Sequence, residues 1–242
     1  MEYALVTGGS RGIGRAICLE LCKQGLDILI NYRSNKDEAE KTLTQIKESG
    51  GNGTLLPFDV SNPDETAQAM APWTDTESAS PIRVLVNNAG ITRDNLMLFM
   101  ENKDFDDILK INLNSFFYVT KTVLKQMAIQ KKGRIINIAS ESGLHGLPGQ
   151  VNYSAAKGGL IAATKALALE MGKKNITVNA IAAGFIKTDM TAGIDEKDYK
   201  KVIPLGRFGT PEEVAHLAGF LASEKAGYIT GQVIEISGGL FT

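Results

Sequence analysis

Histidine, cysteine and tryptophan are nearly missing from this 242-residue chain, which has two His, two Cys and one Trp. His145 and His216 lie far apart and there is no C-x-x-C, so no metal-ligand spacing is visible and no metal is expected. Cys18 and Cys22 stand i,i+4 in one amphipathic segment, where two small buried apolar residues account for them. An excess of one charge is missing too. Lys and Arg total 26 against 27 Asp and Glu, a net charge of −1, which argues against a general nucleic-acid binder. No apolar run is long enough to span a bilayer, and the chain opens directly on an apolar strand, so neither a membrane span nor a leader is expected. Repeats, low-complexity tracts and linkers are also lacking. What is present is ordinary globular composition, 43% hydrophobic and 22% charged with 25 Gly. One soluble domain over residues 1–242, in a reducing cytoplasmic compartment, is the expectation.

Apolar runs alternate with amphipathic ones along the whole chain. "EYALVTGGSRGIGRAICLELCKQG" reads as buried strand, Gly-rich turn and helix ended by Gly25. Gly8, Gly12 and Gly14, with Gly9 beside the first, let backbone approach a pyrophosphate at a helix N-terminus. The second strand, "LDILINYRSN", ends without the carboxylate that usually meets a ribose. Arg33 there, and Arg11 in the turn, are candidates to grip a 2′-phosphate, against the plain reading of solvent-facing charges. A charged helix at about 35–50 leads to a strand ending in Asp59-Val60, where Asp59 is placed to reach an adenine ring. A polar helix over 62–75 follows. The fourth strand ends in Asn87-Asn88-Ala89-Gly90, and buried amides there suit backbone braces and crevice walls. One long helix from 102 to about 131 carries Asn112 near its middle, where a packing amide is the alternative. A fifth strand over 134–139, a helix over 152–173, a sixth strand ("NITVNAIAAG") and a last one ("GQVIEISGG") complete an α/β pattern. The order predicts a single doubly wound parallel sheet of about seven strands, Rossmann-like, with helices on both faces. Residues 189–210 lack long periodicity and read as a substrate flap, with Met190, Ile194, Tyr199, Val202 and Ile203 as apolar walls and His145 near the same mouth.

The chain is organised around "SESGLHGLPGQVNYSAAK", residues 140–157. Tyr153 and Lys157 share one helix face, one turn apart. An ammonium beside a phenol favours phenolate, so Lys157 is expected to lower the Tyr153 pKa from about 10. Ser140, at a strand end, adds a hydroxyl for a carbonyl oxygen. A surface i,i+4 pair is the common meaning of such spacing, and only the surrounding motifs argue otherwise.

Taken together, TGGSRGIG (7–14), Asp59-Val60, NNAG (87–90), Asn112, Ser140 and YSAAK (153–157) resemble the short-chain dehydrogenase/reductase family over nearly the full length. The resemblance implies Tyr153 as proton donor and Ser140 as the group polarising the carbonyl. It implies Lys157 on the nicotinamide ribose and Asn112 holding a relay water. Cofactor contacts are implied at Gly8, Ser10, Arg11, Gly12, Ile13, Gly14, Tyr32, Arg33, Ser34, Asp59, Val60, Asn88, Ala89, Gly90, Tyr153, Lys157, Gly184, Ile186 and Thr188. Where the family usually has Pro-Gly, this chain has Ala183-Gly184, which loosens the turn before Ile186. "NNAGITRDNL", "GQVNYSAAKGGLI" and "YITGQVIEISGG" resemble members that reduce 3-oxoacyl groups on acyl carrier protein, implying NADP(H), that carrier as partner, and a homotetramer. Small residues along 155–163 fit close helix packing in such an assembly. Lys131 and Lys174 match positions that dock the carrier. Lys132 and Lys173 join them at two helix ends, where complementing the helix dipoles is the alternative. A dehydrogenase for sugars, alcohols or steroids, and an NADP-binding scaffold or regulator, remain the rival readings.

Overall fold

The computed structural model describes residues 2–74 and 81–241. Seven parallel strands form one sheet in the order β3-β2-β1-β4-β5-β6-β7. They are β1 (Tyr3–Val6), β2 (Asp27–Tyr32), β3 (Gly53–Pro57), β4 (Ile82–Asn87), β5 (Gly133–Ser140), β6 (Ile176–Ala183) and β7 (Val233–Ile236). The doubly wound sheet expected from the sequence is therefore the fold. Strand side chains alternate between two cores. Ala4 and Val6 of β1, Ile28 and Ile30 of β2, and Val84 and Val86 of β4 share one apolar cluster with α1 (Gly12–Lys23). Leu5, Leu29 and Leu85, the residues between, face the other. Both faces are apolar, so burying the sheet needs helices on each side.

The remaining helices are α2 (Lys36–Glu48), α3 (Pro63–Met70), α4 (Asn102–Leu109), α5 (Ser115–Gln130), α6 (Ser142–His145), α7 (Val151–Met171), α8 (Glu196–Tyr199) and α9 (Pro211–Ala222). Local chemistry starts several of them. Asn35 accepts from Glu38 N, Asn62 from Asp64 N and Glu65 N, and Thr210 exchanges bonds with Glu213 in a capping box ahead of Pro211. Cys18 and Cys22 are free and buried among these apolar side chains, as expected. Among the described residues no helix is long and apolar enough to cross a membrane.

Two helices differ from the sequence reading. The helix expected over 62–75 stops at Met70 and tightens into a 3₁₀ turn, Ala71–Trp73, where Trp73 meets Tyr3 edge-on at 5.0 Å. Its expected end at 75 lies outside the described residues. The single long helix after residue 101 is two helices joined by a π turn, Lys110–Asn114. The extra residue in that turn keeps helical propensity, so periodicity does not reveal it. It rotates Asn112 into the interior toward the NNAG loop.

The strand order reverses between β1 and β4, and the crevice at their C-terminal ends is where ligands bind in such sheets. One glycine decides how closely the first turn folds there. A Cβ on Gly14 would lie 2.1 Å from the Gly8 carbonyl oxygen, a backbone atom with nowhere to go. Gly14→Ala is expected to destabilise by about 3 kcal/mol or more, which for this chain length means a Tm drop of roughly 6–12 °C. A melt within a degree of the parent would show that the turn is not so tightly constrained.

Candidate active site

A cavity of about 710 Å³ opens along the C-terminal ends of β1, β4, β5 and β6. Every residue named above as a cofactor contact lines it, and so does Ser140. Asn112 does not. The N-terminus of α1 opens here, and Arg11 at its N-cap position makes no side-chain capping bond, leaving the first N–H groups for a ligand. Gly8 holds φ at +63° and brings bare backbone to the crevice. A helix N-terminus, a side-chain-free turn and a cavity in the size range of cofactor pockets fit a dinucleotide.

Amides from neighbouring strands hold this rim. Asn31 Oδ1 accepts from Gly8 N at 3.2 Å while its Nδ2 donates to Leu56 O and Phe58 O. Asn88 Nδ2 donates to Thr7 O and Gly8 O, and Thr7 Oγ1 accepts from the Asn88 and Ala89 N–H groups. Behind them Asn87 bonds Asn137 and Thr120, and Asn137 bonds Thr164, all buried. Asn112 spends both amide hydrogens on the carbonyls of Ile91 and Ile108, and its Oδ1 accepts from Ile91 N. Its side chain is a brace for the NNAG loop, and no amide hydrogen is left to hold the relay water expected there.

The sequence missed a second brace. Arg15 Nη2 donates to Ser10 O at 2.6 Å and to Glu38 Oε2 at 2.6 Å, and Thr42 Oγ1 also donates to Ser10 O. Read linearly, Arg15 and Glu38 are two ordinary surface charges. The two arginines nominated for a 2′-phosphate both line the cavity and both face carboxylates. Arg11 bonds Asp189 at 3.0 Å, and Arg33 stands 3.8 Å from Asp59. Asp59 Oδ1 also accepts from Ser61 N.

At the other end of the cavity stand the acid-site residues. Ser140 ends β5 opposite Ala183 of β6. Its Oγ accepts from Ser142 N at 3.2 Å and lies 3.3 Å from Ser142 Oγ. Ser142 donates to Gln150 Oε1, and Gln150 donates to Asp94 Oδ2, each at 2.7 Å. Ser142, Gln150 and Asp94 thus position Ser140. All three lie inside stretches singled out above, but nothing in their spacing marks the relay.

Tyr153 and Lys157 are both buried on α7. The expected lowering of the Tyr153 pKa by Lys157 does not occur. Burial pushes the phenol up to about 12, with the Ser140 hydroxyl opposing. Lys157 Nζ donates to Ile138 O at 2.8 Å and sits 5.6 Å from the Tyr153 ring centroid. Burial takes Lys157 down to about 8.

The flap folds over this end. Its base is closed by a parallel bridge between Ile186 and Gly209, with Lys187 N donating to Gly209 O. Of its five nominated apolar walls, Met190 and Ile194 line the cavity. Tyr199 packs instead on Phe185 and Phe208, Ile203 is buried and Val202 is exposed. Each helps to form the flap itself or faces solvent, so none is a wall. His145 is not a lining residue either, and stacks on Phe241 at 4.3 Å.

At the far ends of α5 and α7, Asn175 Nδ2 donates to Lys131 O at 3.3 Å, so the two helix termini adjoin. Lys131, Lys173 and Lys174 are exposed there. Lys132 leaves the expected basic patch, because it pairs with Glu2 at 2.7 Å.

Comparison with known proteins agrees with this geometry. A family model described as enoyl-(acyl carrier protein) reductase, one of the short-chain dehydrogenase/reductase models, matches residues 8–241. A 3-oxoacyl-(acyl-carrier-protein) reductase of Synechocystis is 46% identical over 240 residues, 99% of this chain and 96% of the relative. One from Aggregatibacter actinomycetemcomitans is 46% identical over 241 residues, 99% of both chains. One from Staphylococcus aureus is 43% identical over 243 residues, 99% of this chain and 98% of its own. With a cofactor crevice at the switch point, the Ser140, Tyr153 and Lys157 set, and relatives matching end to end, the chain belongs to the short-chain dehydrogenase/reductase family.

Proposed function

We propose that this protein is an NADPH-dependent 3-oxoacyl-(acyl-carrier-protein) reductase, acting in acyl-chain biosynthesis. The observation that carries the reading is a buried neutral phenol and a serine hydroxyl at one end of a dinucleotide-sized cavity, in a chain 46% identical to reductases of that name. Bound NADPH supplies the hydride. The turn at Gly8–Gly14 and the α1 N-terminus would hold its pyrophosphate, and Lys157 would hold its ribose. Tyr153 and Ser140 donate hydrogen bonds to the ketone oxygen, and Tyr153 Oη gives up its proton as negative charge develops there. A phenol held near 12 is fully protonated at working pH and loses its proton only when the oxyanion forms. The Lys157 ammonium, close to the ring, stabilises the phenolate left behind.

NADPH over NADH is supported by Arg11 and Arg33 beside the β2 terminus. Their carboxylate partners do not prevent this. Exposed ion pairs are worth about 0–1 kcal/mol, so a phosphate with bidentate geometry displaces them. The family model's description raises enoyl reduction as the second reading, and substrate choice separates the two. Acetoacetyl thioester with NADPH should turn over, NADH should serve poorly, and crotonyl thioester should fail. Arg33→Ala should raise KM for NADPH alone. Equal use of both cofactors, or preference for the crotonyl substrate, would overturn the respective assignment.

Tyr153→Phe should keep the fold and NADPH binding while losing about 10²–10⁴-fold in kcat. The pH profile of kcat/KM for NADPH reports the free protein. Lys157, with its pKa near 8, is charged below that value, so the profile should be flat there and fall as pH rises through 8. Tyr153 adds no inflection below about 12. An unchanged kcat in the Phe variant would remove the proton-donor role.

The carrier protein is acidic by this reading and docks on Lys131 and Lys174. That patch lies at the opposite end of α7 from Tyr153, roughly 27 Å along the helix at 1.5 Å per residue. A second copy packed antiparallel on the exposed sides of α5 and α7 would set one chain's patch beside its partner's cavity. Phe117 and Leu169, more than half exposed on those helices, give such a contact its apolar surface, and a homotetramer follows naturally from two such two-fold contacts. Lys131→Glu with Lys174→Glu should lower kcat/KM for carrier-bound substrate more than about tenfold, with strong salt dependence. Activity on a free thioester should remain. Equal loss on both substrates would point to structural damage, and no loss on either would remove the docking role.

A further inference from the structure

One cluster stands beside the Ser140 loop, and of its three members only Glu141 lines the cavity. Glu141 follows β5, His145 ends α6, and Glu235 stands on β7. One donor atom from each, a carboxylate oxygen from either glutamate and a ring nitrogen of His145, lies within 4.8 Å of the other two. Among the described residues this is the one group of three such side chains within reach of a common ion. The two-histidine count in the sequence conceals it, because two of the three ligands are carboxylates brought in by different strands.

The spacing already suits a small dication. His145 Nε2 is 3.4 Å from Glu141 Oε2. Tetrahedral zinc with bonds of roughly 2.0–2.1 Å keeps neighbouring donors about 3.4 Å apart. Glu235 is exposed, so its side chain can close the remaining gap by changing rotamer.

Glu141 adds an observation of its own, a buried carboxylate set against a second one. Its side chain is buried, 2% exposed for the whole residue, and its carboxylate faces Ser237, His145 and the carboxylate of Glu235. Such groups are costly unless they are paired or bind metal. The Glu235 carboxylate comes to the same place, so a buried carboxylate and a like charge share one small space. A dication among the three groups offsets both effects. The imidazole is also pre-positioned, stacked on Phe241 with the rings 20° apart.

We propose that Glu141, His145 and Glu235 form a divalent-cation site of the zinc class, with solvent completing the coordination. The imidazole selects zinc over Mg²⁺ and Ca²⁺, which take oxygen ligands. The ion clamps the Ser140 loop to β7 and the C-terminal tail. Leu240 and Phe241 of that tail line the cavity, so the clamp stiffens its rim.

The test uses untagged, chelator-treated full-length protein titrated with ZnCl₂ by calorimetry and by thermal melting. One equivalent should bind, and at a hundredfold excess over Kd the Tm should rise by roughly 5–10 °C. His145→Ala and Glu235→Gln should each weaken binding by more than about tenfold, with circular dichroism and NADPH binding unchanged. His216→Ala should bind as the parent does, and Mg²⁺ should produce no shift. Co²⁺ in place of zinc should give visible d–d absorption that His145→Ala abolishes. No binding of Zn²⁺ at about 1 mM, or binding that survives both ligand variants, would overturn the proposal.

Discussion

The amide of Asn88 reaches Thr7 O at 2.9 Å and Gly8 O at 3.2 Å, and the cofactor crevice depends on bonds of this kind. A turn that must meet a pyrophosphate with bare backbone carries no side chains of its own to anchor it. Its peptide groups also lie past the last strand hydrogen bond, where an unpaired group is expensive. The chain answers with asparagines on adjacent strands. Asn31 holds the turn from β2 and Asn88 holds it from the end of β4. Asn112, turned inward by the π segment of the α4–α5 pair, holds the NNAG loop. Asn31 and Asn112 bond in both senses while Asn88 donates twice, so the loops are fixed before any ligand arrives.

The acid site shows the opposite economy. Burial moves Tyr153 up and Lys157 down, so each is pushed toward its neutral form. Burial of the phenol outweighs the charge effect expected of Lys157, whose ammonium is already bonded to Ile138 O. What makes the pair useful is that the cost is reversible. In the proposed reaction, a proton leaving the phenol would create the anion that the ammonium needs, in surroundings where the attraction is poorly screened.

Much of this was legible in the sequence because the physics is local. Alternation within strands such as "ALV" and "VLV" assigns residues to the two cores, and glycines at a strand end mark the crevice. Most of the nominated cofactor residues fall on the cavity because they follow strand termini, which the parallel order places along one edge, and α1 and α7 bring in the rest. What escaped was set by long-range geometry. The π turn has the same propensities as the helix around it. Arg15 and Glu38 look like solvated charges until α1 and α2 bring them to Ser10 O. Tyr199 and Ile203 are as apolar as any wall residue, and only the fold of the flap turns them away from the cavity.

The bridge between Ile186 and Gly209 ties the ends of the flap together at the sheet. Since those ends are already joined, lengthening the segment between them adds little closure entropy, about 0.6 kcal/mol for each doubling. Insertions beyond Ile194, the last residue of the segment to line the cavity, leave the acid residues in place, because no strand passes through that part of the chain. A small loop of chain can therefore change length while the strands that carry the Gly8–Gly14 turn, Ser140 and Ala183 keep their places.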